Sequence, residues 1–114
     1  MDATHATTIQ HLTDESFQRD IESSRGIAVV KFTADWCPPC KALKPVLESL
    51  ATEYAGRVAF HELDTDAHPR ATVRYGVRGL PTTVIFRDGR EAARVVGLVP
   101  KEQLRTQLDR IVGG

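Results

Sequence analysis

The chain has 114 residues, 41% hydrophobic and 26% charged, which suffices for one domain with a sizeable core and is too little for two. Fifteen basic and fifteen acidic side chains cancel, so no net charge draws the molecule to nucleic acid or an anionic membrane, and neither is an expected partner. No apolar run approaches the roughly 18 residues needed to cross a bilayer. Met1-Asp2-Ala3-Thr4-His5 lacks the basic start and apolar stretch of a secretory signal, so a cytoplasmic protein is expected. Cys37 and Cys40 are the only cysteines, far below the density of a disulfide scaffold, which fits a reducing compartment where thiols are catalytic or metal-binding.

Residues 1–7 read as a flexible start and 8–114 as one domain, without repeat, linker or low-complexity segment. A strand is expected over 8–11. Thr13-Asp14-Glu15-Ser16 supplies the capping residues of a first helix that carries Phe17 and Ile21 and stops at Gly26. Ile27-Ala28-Val29-Val30-Lys31-Phe32 is nearly continuous in apolar residues, as in a central strand covered on both faces, with Lys31 the exception. The spacing of Leu43, Val46, Leu47, Leu50 and Ala51 predicts a helix over 38–55 that ends at Gly56 and bends at Pro45. A strand over 58–63 and a short helix over 68–75 follow. Residues 83–86 and 93–96 then form a hairpin around Asp88-Gly89, a strong turn signal. A last helix starts at Pro100 and buries Leu104, Leu108, Ile111 and Val112. The order βαβαβαββα describes an α/β domain, a mixed sheet with helices on both faces.

Asp35-Trp36-Cys37-Pro38-Pro39-Cys40-Lys41 falls where the second strand gives way to a helix, which places Cys37 at the helix N-terminus, on the solvent rim. First-turn amides and the macrodipole stabilise an anion there, so the thiolate of Cys37 is favoured over that of a free cysteine with pKa near ~8.5. Cys40 lies one turn further in and less exposed. The spacing lets the pair close a small ring and reopen it, with Cys37 attacking a substrate disulfide and Cys40 resolving the mixed disulfide. A purely structural role is disfavoured, since so short a loop restricts the unfolded chain little. Zinc would need two further ligands, and His61 and His68 lack the spacing to supply them, so no metal is expected. Trp36, beside the cysteines on a loop, reads as an exposed contact rather than a core residue. His61 and His68 read as solvated, Tyr75 as packing, and the charged run over 87–94 as a solvated hairpin.

Taken together, Trp36-Cys37-Pro38-Pro39-Cys40-Lys41, Tyr75-Gly76-Val77-Arg78-Gly79-Leu80-Pro81-Thr82 and Val96-Gly97 resemble the thioredoxin family, over most of the chain from about residue 8 onward. The resemblance implies a five-stranded mixed sheet flanked by four helices and a protein-disulfide reductase that binds no cofactor. Its electrons would come from NADPH through a flavin-dependent thioredoxin reductase. Clients implied by the family are peroxide-detoxifying enzymes, methionine sulfoxide reductases and ribonucleotide reductase, served by a monomer. Position by position, Cys37 matches the nucleophile, Cys40 the resolving thiol, and Pro81 the proline whose preceding peptide bond is cis. From the residues alone Pro81 would instead be a trans strand-start proline. Trp36, Gly79, Leu80, Pro81 and Gly97 would form the partner-binding collar. An oxidant or isomerase of the same fold, and a binding subunit without turnover, are the competing functions.

The chain departs from the family pattern at three places. Pro38 stands where glycine is usual, stiffening the first turn next to Pro39. Lys31 stands where the family carries a buried Asp, and Glu62 where it carries a Lys, so the pair is charge-reversed. Either Lys31 and Glu62 lie together beneath the active site and tune Cys40, or Lys31 snorkels to solvent as a structural ion pair. Thr33 replaces a frequent aromatic and weakens nothing central.

Overall fold

The computed structural model describes residues 9–113, so the expected flexible start and the expected strand residue Thr8 lie outside the described residues. Five strands form one mixed sheet: β1 (Gln10–Leu12), β2 (Ile27–Thr33), β3 (Val58–Asp64), β4 (Thr82–Arg87) and β5 (Arg90–Val96). Their order is β1-β3-β2-β4-β5, with β1, β3 and β2 parallel and β4 and β5 antiparallel to their neighbours. Central β2 is buried from Ala28 to Phe32, which is why its sequence lacks the alternation of a half-exposed strand.

Residues of alternate parity along the strands feed two cores. Val29, Phe60 and Ile85 pack beneath Leu43, Leu47 and Leu50 of α2 (Pro38–Glu53) and Leu104 and Leu108 of α4 (Lys101–Gly113). On the opposite face Val30, Phe32, Val84 and Phe86 meet Phe17 and Ile21 from the first helical segment and Ala71 of α3 (Pro69–Arg74). Ile111 and Val112 are only half-buried at the end of α4.

The first helical segment differs from the single helix expected. After α1 (Asp14–Phe17), opened by a capping box between Thr13 and Ser16, the chain winds as a π-helical turn over Gln18–Glu22. The Ser23 amide donates to the Gln18 carbonyl at 2.8 Å, and the Ser24 hydroxyl donates to the Ile21 carbonyl at 3.0 Å. Short polar side chains here compete for the acceptors that another α turn would use. Asp14 reaches across to α3, where its carboxylate accepts from the amides of Ala71 (2.8 Å) and Arg70 (3.1 Å) and caps that helix.

The hairpin follows its turn signal. Asp88 and Gly89 have φ of 52° and 85°, the left-handed pair of a two-residue loop. A Cβ on Gly89 would lie 2.1 Å from the Glu22 carbonyl oxygen, so the close approach to the π-helical turn also requires glycine. Helix α2 runs on through Pro45, whose missing N–H leaves the Lys41 carbonyl on the exposed face without its intrahelical donor.

Candidate active site

Past β2 the chain turns through Ala34, Asp35 and Trp36, and Cys37 becomes the N-cap of α2 with extended backbone, φ −99° and ψ 104°. Cys37 and Cys40 are joined as a disulfide with their Cα atoms 5.2 Å apart. The Cys40 amide donates to the Sγ of Cys37 at 3.3 Å. Pro38 and Pro39 have no N–H to offer, and the Lys41 amide is used by the Cys37 carbonyl at 3.2 Å. The several first-turn amides expected around the sulfur therefore reduce to one directed donor and the helix dipole. That donor comes from the partner cysteine itself, so the positions of the two residues are locked together.

Cys37 is not on the open rim that the sequence suggested. It is 3% exposed and Cys40 1%, both packed with Ala34 against Leu80. Leu80 arrives from a segment 40 residues downstream, and its cover over the cysteines is a tertiary effect. The two sulfurs still differ in access. Cys37 lines a groove of about 380 Å³ with Trp36, Pro38, Pro39, Val77 and Leu80, whereas Cys40 does not border it. A larger hollow of about 580 Å³ sits at the opposite end of β2 and β3, near Ile27 and Val58, and contains no cysteine.

The collar residues divide into two groups. Trp36, 67% exposed, donates its indole N–H to Asp66 at 2.8 Å and forms one groove wall with Leu80. The Leu80–Pro81 bond is cis, as the family pattern implied and the residues alone did not. Pro81 is buried, and its carbonyl accepts from the Gly97 amide at 2.7 Å, tying the loop before β4 to the end of β5. Gly79 and Gly97 lie on that side, outside the groove; a Cβ on Gly79 would touch Val96 at 3.4 Å. Thr65, Thr72, Val77 and Arg78 complete the groove; Val77 and Arg78 belong to the 75–82 segment that carries the family resemblance, whereas nothing local in the sequence singles out Thr65 or Thr72.

Lys31 is 2% exposed, which removes the snorkelling alternative. Its Nζ lies 3.5 Å from a Glu62 carboxylate oxygen and donates to the Cys40 carbonyl at 3.3 Å. Register explains the meeting, since Lys31 and Glu62 are paired residues of β2 and β3. Burial pushes the Lys31 pKa down, and the charge and hydrogen bond of Glu62 oppose that shift. The other Glu62 oxygen is 3.3 Å from Nδ1 of His11, which is 78% exposed. A line of polar groups thus joins the Cys40 backbone to the surface across β2, β3 and β1.

His61 is not solvated as expected, and His68 is half-buried. His61 is 7% exposed between Val30 and Gln10, its Nδ1 has no hydrogen-bond partner among the described residues, and burial lowers its pKa against the opposing charge of Asp20. His68 accepts the Asp14 amide through Nδ1 at 3.2 Å. Tyr75 packs against Phe17 and Phe86, with ring centroids 5.4 and 5.3 Å away, and burial helps raise its hydroxyl pKa to about 12. Among the described residues no group of three or more His, Cys, Asp or Glu is placed to hold a metal ion, and no helix is long and apolar enough to cross a membrane.

The family model for thioredoxin matches residues 8–110. The chain belongs to the thioredoxin family. It is 44% identical over 102 residues to the thioredoxin of Allochromatium vinosum, covering 90% of this chain and 95% of that one. It is 42% identical over 102 residues to the thioredoxin of Staphylococcus aureus, covering 90% and 96%. This family member is a thiol-disulfide oxidoreductase of the protein-disulfide reductase type, with the Trp36-Cys37-Pro38-Pro39-Cys40 segment carrying the redox-active disulfide. The family implies a reductase and disulfide-bearing clients as partners and generally binds no cofactor of its own.

Proposed function

We propose that Cys37 is the attacking thiol and Cys40 the resolving one. The observation that carries this is the asymmetry of the pair, since Cys37 alone borders the groove and alone accepts the helix-cap amide. In the reduced protein the Cys37 thiolate attacks one sulfur of a client disulfide, forming a mixed disulfide and releasing the other client sulfur as a thiolate that takes up a proton. Cys40 then loses its proton and attacks the Cys37 sulfur, which frees the second client thiol and leaves the Cys37–Cys40 disulfide. Two electrons pass to the client. They are restored from NADPH by a flavin-dependent thioredoxin reductase. Trp36, Gly79, Leu80, Pro81 and Gly97 seat the partner, with Pro38 and Pro39 stiffening the turn between the cysteines.

Lys31 assists the second step. An ammonium donating to the Cys40 carbonyl favours negative charge on the sulfur of the same residue, and Glu62 keeps that ammonium in place. Replacing Lys31 by Met is expected to raise the titration of Cys40 and to lengthen the life of the mixed disulfide, while Cys37 shifts less. The same variant has a stability signature. Because burial lowers the lysine pKa below its ordinary 10.5, the unfolded chain binds more protons than the folded one just below that pH. Wild type therefore gains stability over Lys31→Met as pH rises toward the ordinary lysine value of 10.5, a trend read from urea midpoints. A difference independent of pH, with Cys40 unmoved, would assign Lys31 to packing alone.

The molecule acts as a cytoplasmic monomer, a reading supported by the chain's having two cysteines, both used in one reactive pair. Its clients include peroxide-detoxifying enzymes, methionine sulfoxide reductases and ribonucleotide reductase. The test is NADPH oxidation coupled through a thioredoxin reductase to reduction of insulin disulfides. Turnover that depends on all three components is expected. A chain that instead inserts disulfides into reduced proteins, with no reductase-coupled turnover, would contradict the assignment.

A further inference from the structure

The groove beside Cys37 is apolar on most of its surface, and Arg78 is the one charged side chain that lines it. Every other lining residue is an apolar residue, a threonine or the cysteine itself. Arg78 is exposed and makes no ion pair or side-chain hydrogen bond among the described residues; Arg25, Arg90 and Arg110 are unpaired in the same sense, but of these four Arg78 is the one that lines the groove beside Cys37. No carboxylate lines the groove, and Asp66 accepts from the Trp36 indole and Asp64 from the amides of Asp66 and Ala67. An unpaired guanidinium at the edge of a small apolar trough leaves one charge unanswered, in the groove that Cys37 borders.

We propose that Arg78 selects clients by charge: the preferred substrate is an extended segment with a carboxylate side chain close in sequence to its disulfide cysteine, seated with that carboxylate on Arg78. The inference rests on the reductase reading and adds a substrate preference to it. An exposed guanidinium pairs weakly and acts mostly on encounter, so the preference is modest, about threefold to tenfold in rate at low ionic strength, and shrinks as salt is added.

The test uses the full chain reduced beforehand with dithiothreitol and freed of it, so that no reductase is involved. Single-turnover rates are measured on three disulfide peptides alike except for Glu, Gln or Lys two residues from the cysteine. Wild type is expected to rank Glu above Gln above Lys, the Glu/Lys ratio falling with salt. Arg78→Gln should bring that ratio near one, Arg78→Glu should invert it, and Arg78→Lys should keep most of it. Equal rates on the three peptides in wild type, or an unchanged ratio in Arg78→Gln, would overturn the proposal while leaving the reductase intact. No reduction of any peptide would overturn the reductase reading and this preference with it.

Discussion

Cys37→Ser is expected to lower reductase-coupled insulin reduction by at least about 10³-fold, because a serine hydroxyl is far too weak an acid for one amide and a helix dipole to ionise. Cys40→Ser is expected to fail differently. Its Cys37 can still attack, but nothing is left to break the mixed disulfide, so the protein stalls as a stoichiometric adduct with its client. The adduct should be released by dithiothreitol and be absent with Cys37→Ser. Mass spectrometry of the two variants after exposure to a disulfide-bearing client separates the cases. If Cys37→Ser formed the adduct and Cys40→Ser formed none, the two roles would be reversed, and the access difference created by the groove would carry no chemical weight.

The second large effect concerns stability. Phe86 is 1% exposed, with its ring edge-on to Phe17 at 5.9 Å and to Tyr75 at 5.3 Å. It thereby joins β4 to the first helical segment and to the end of α3. Phe86→Ala removes the ring and leaves a cavity that a close-packed core cannot fully close, at a cost of about 3–5 kcal/mol. For a domain of this size that corresponds to a fall of about 15 °C in the melting temperature. Phe86→Leu, which keeps more of the volume, should cost about half as much. Calorimetry of both oxidised variants checks the order. Equal and small losses would mean that the aromatic cluster relaxes around the missing ring.

How far the sequence carried depended on the range of the interactions involved. The hairpin was legible because Asp88-Gly89 satisfies its own backbone requirement locally, and β2 because its apolar run is long and uninterrupted. Cys37 at the helix N-terminus was equally local, fixed by the strand before it and the helix after it. Its burial was not, since the cover comes from Leu80, brought in by the chain's path after α3. His61 reads as a polar residue until the register of β3 turns it onto the inner face beside Val30. The π-helical turn depends on Ser23 and Ser24 winning carbonyls from an α pattern, a balance that periodicity does not register. Lys31 and Glu62 lie between these limits. Lys31 was conspicuous in its apolar strand and Glu62 only against the family pattern, and the alignment of β2 with β3 brings the two together.

The exchange chemistry turns on the acidity of one sulfur. Alkylation of the reduced protein by iodoacetamide, followed across pH and mapped by mass to each cysteine, measures it directly. A Cys37 that reacts first, with a midpoint well below the ~8.5 of an unperturbed thiol, is the predicted result. A Cys37 that titrates at or above that value, or a Cys40 that reacts before it, would contradict it.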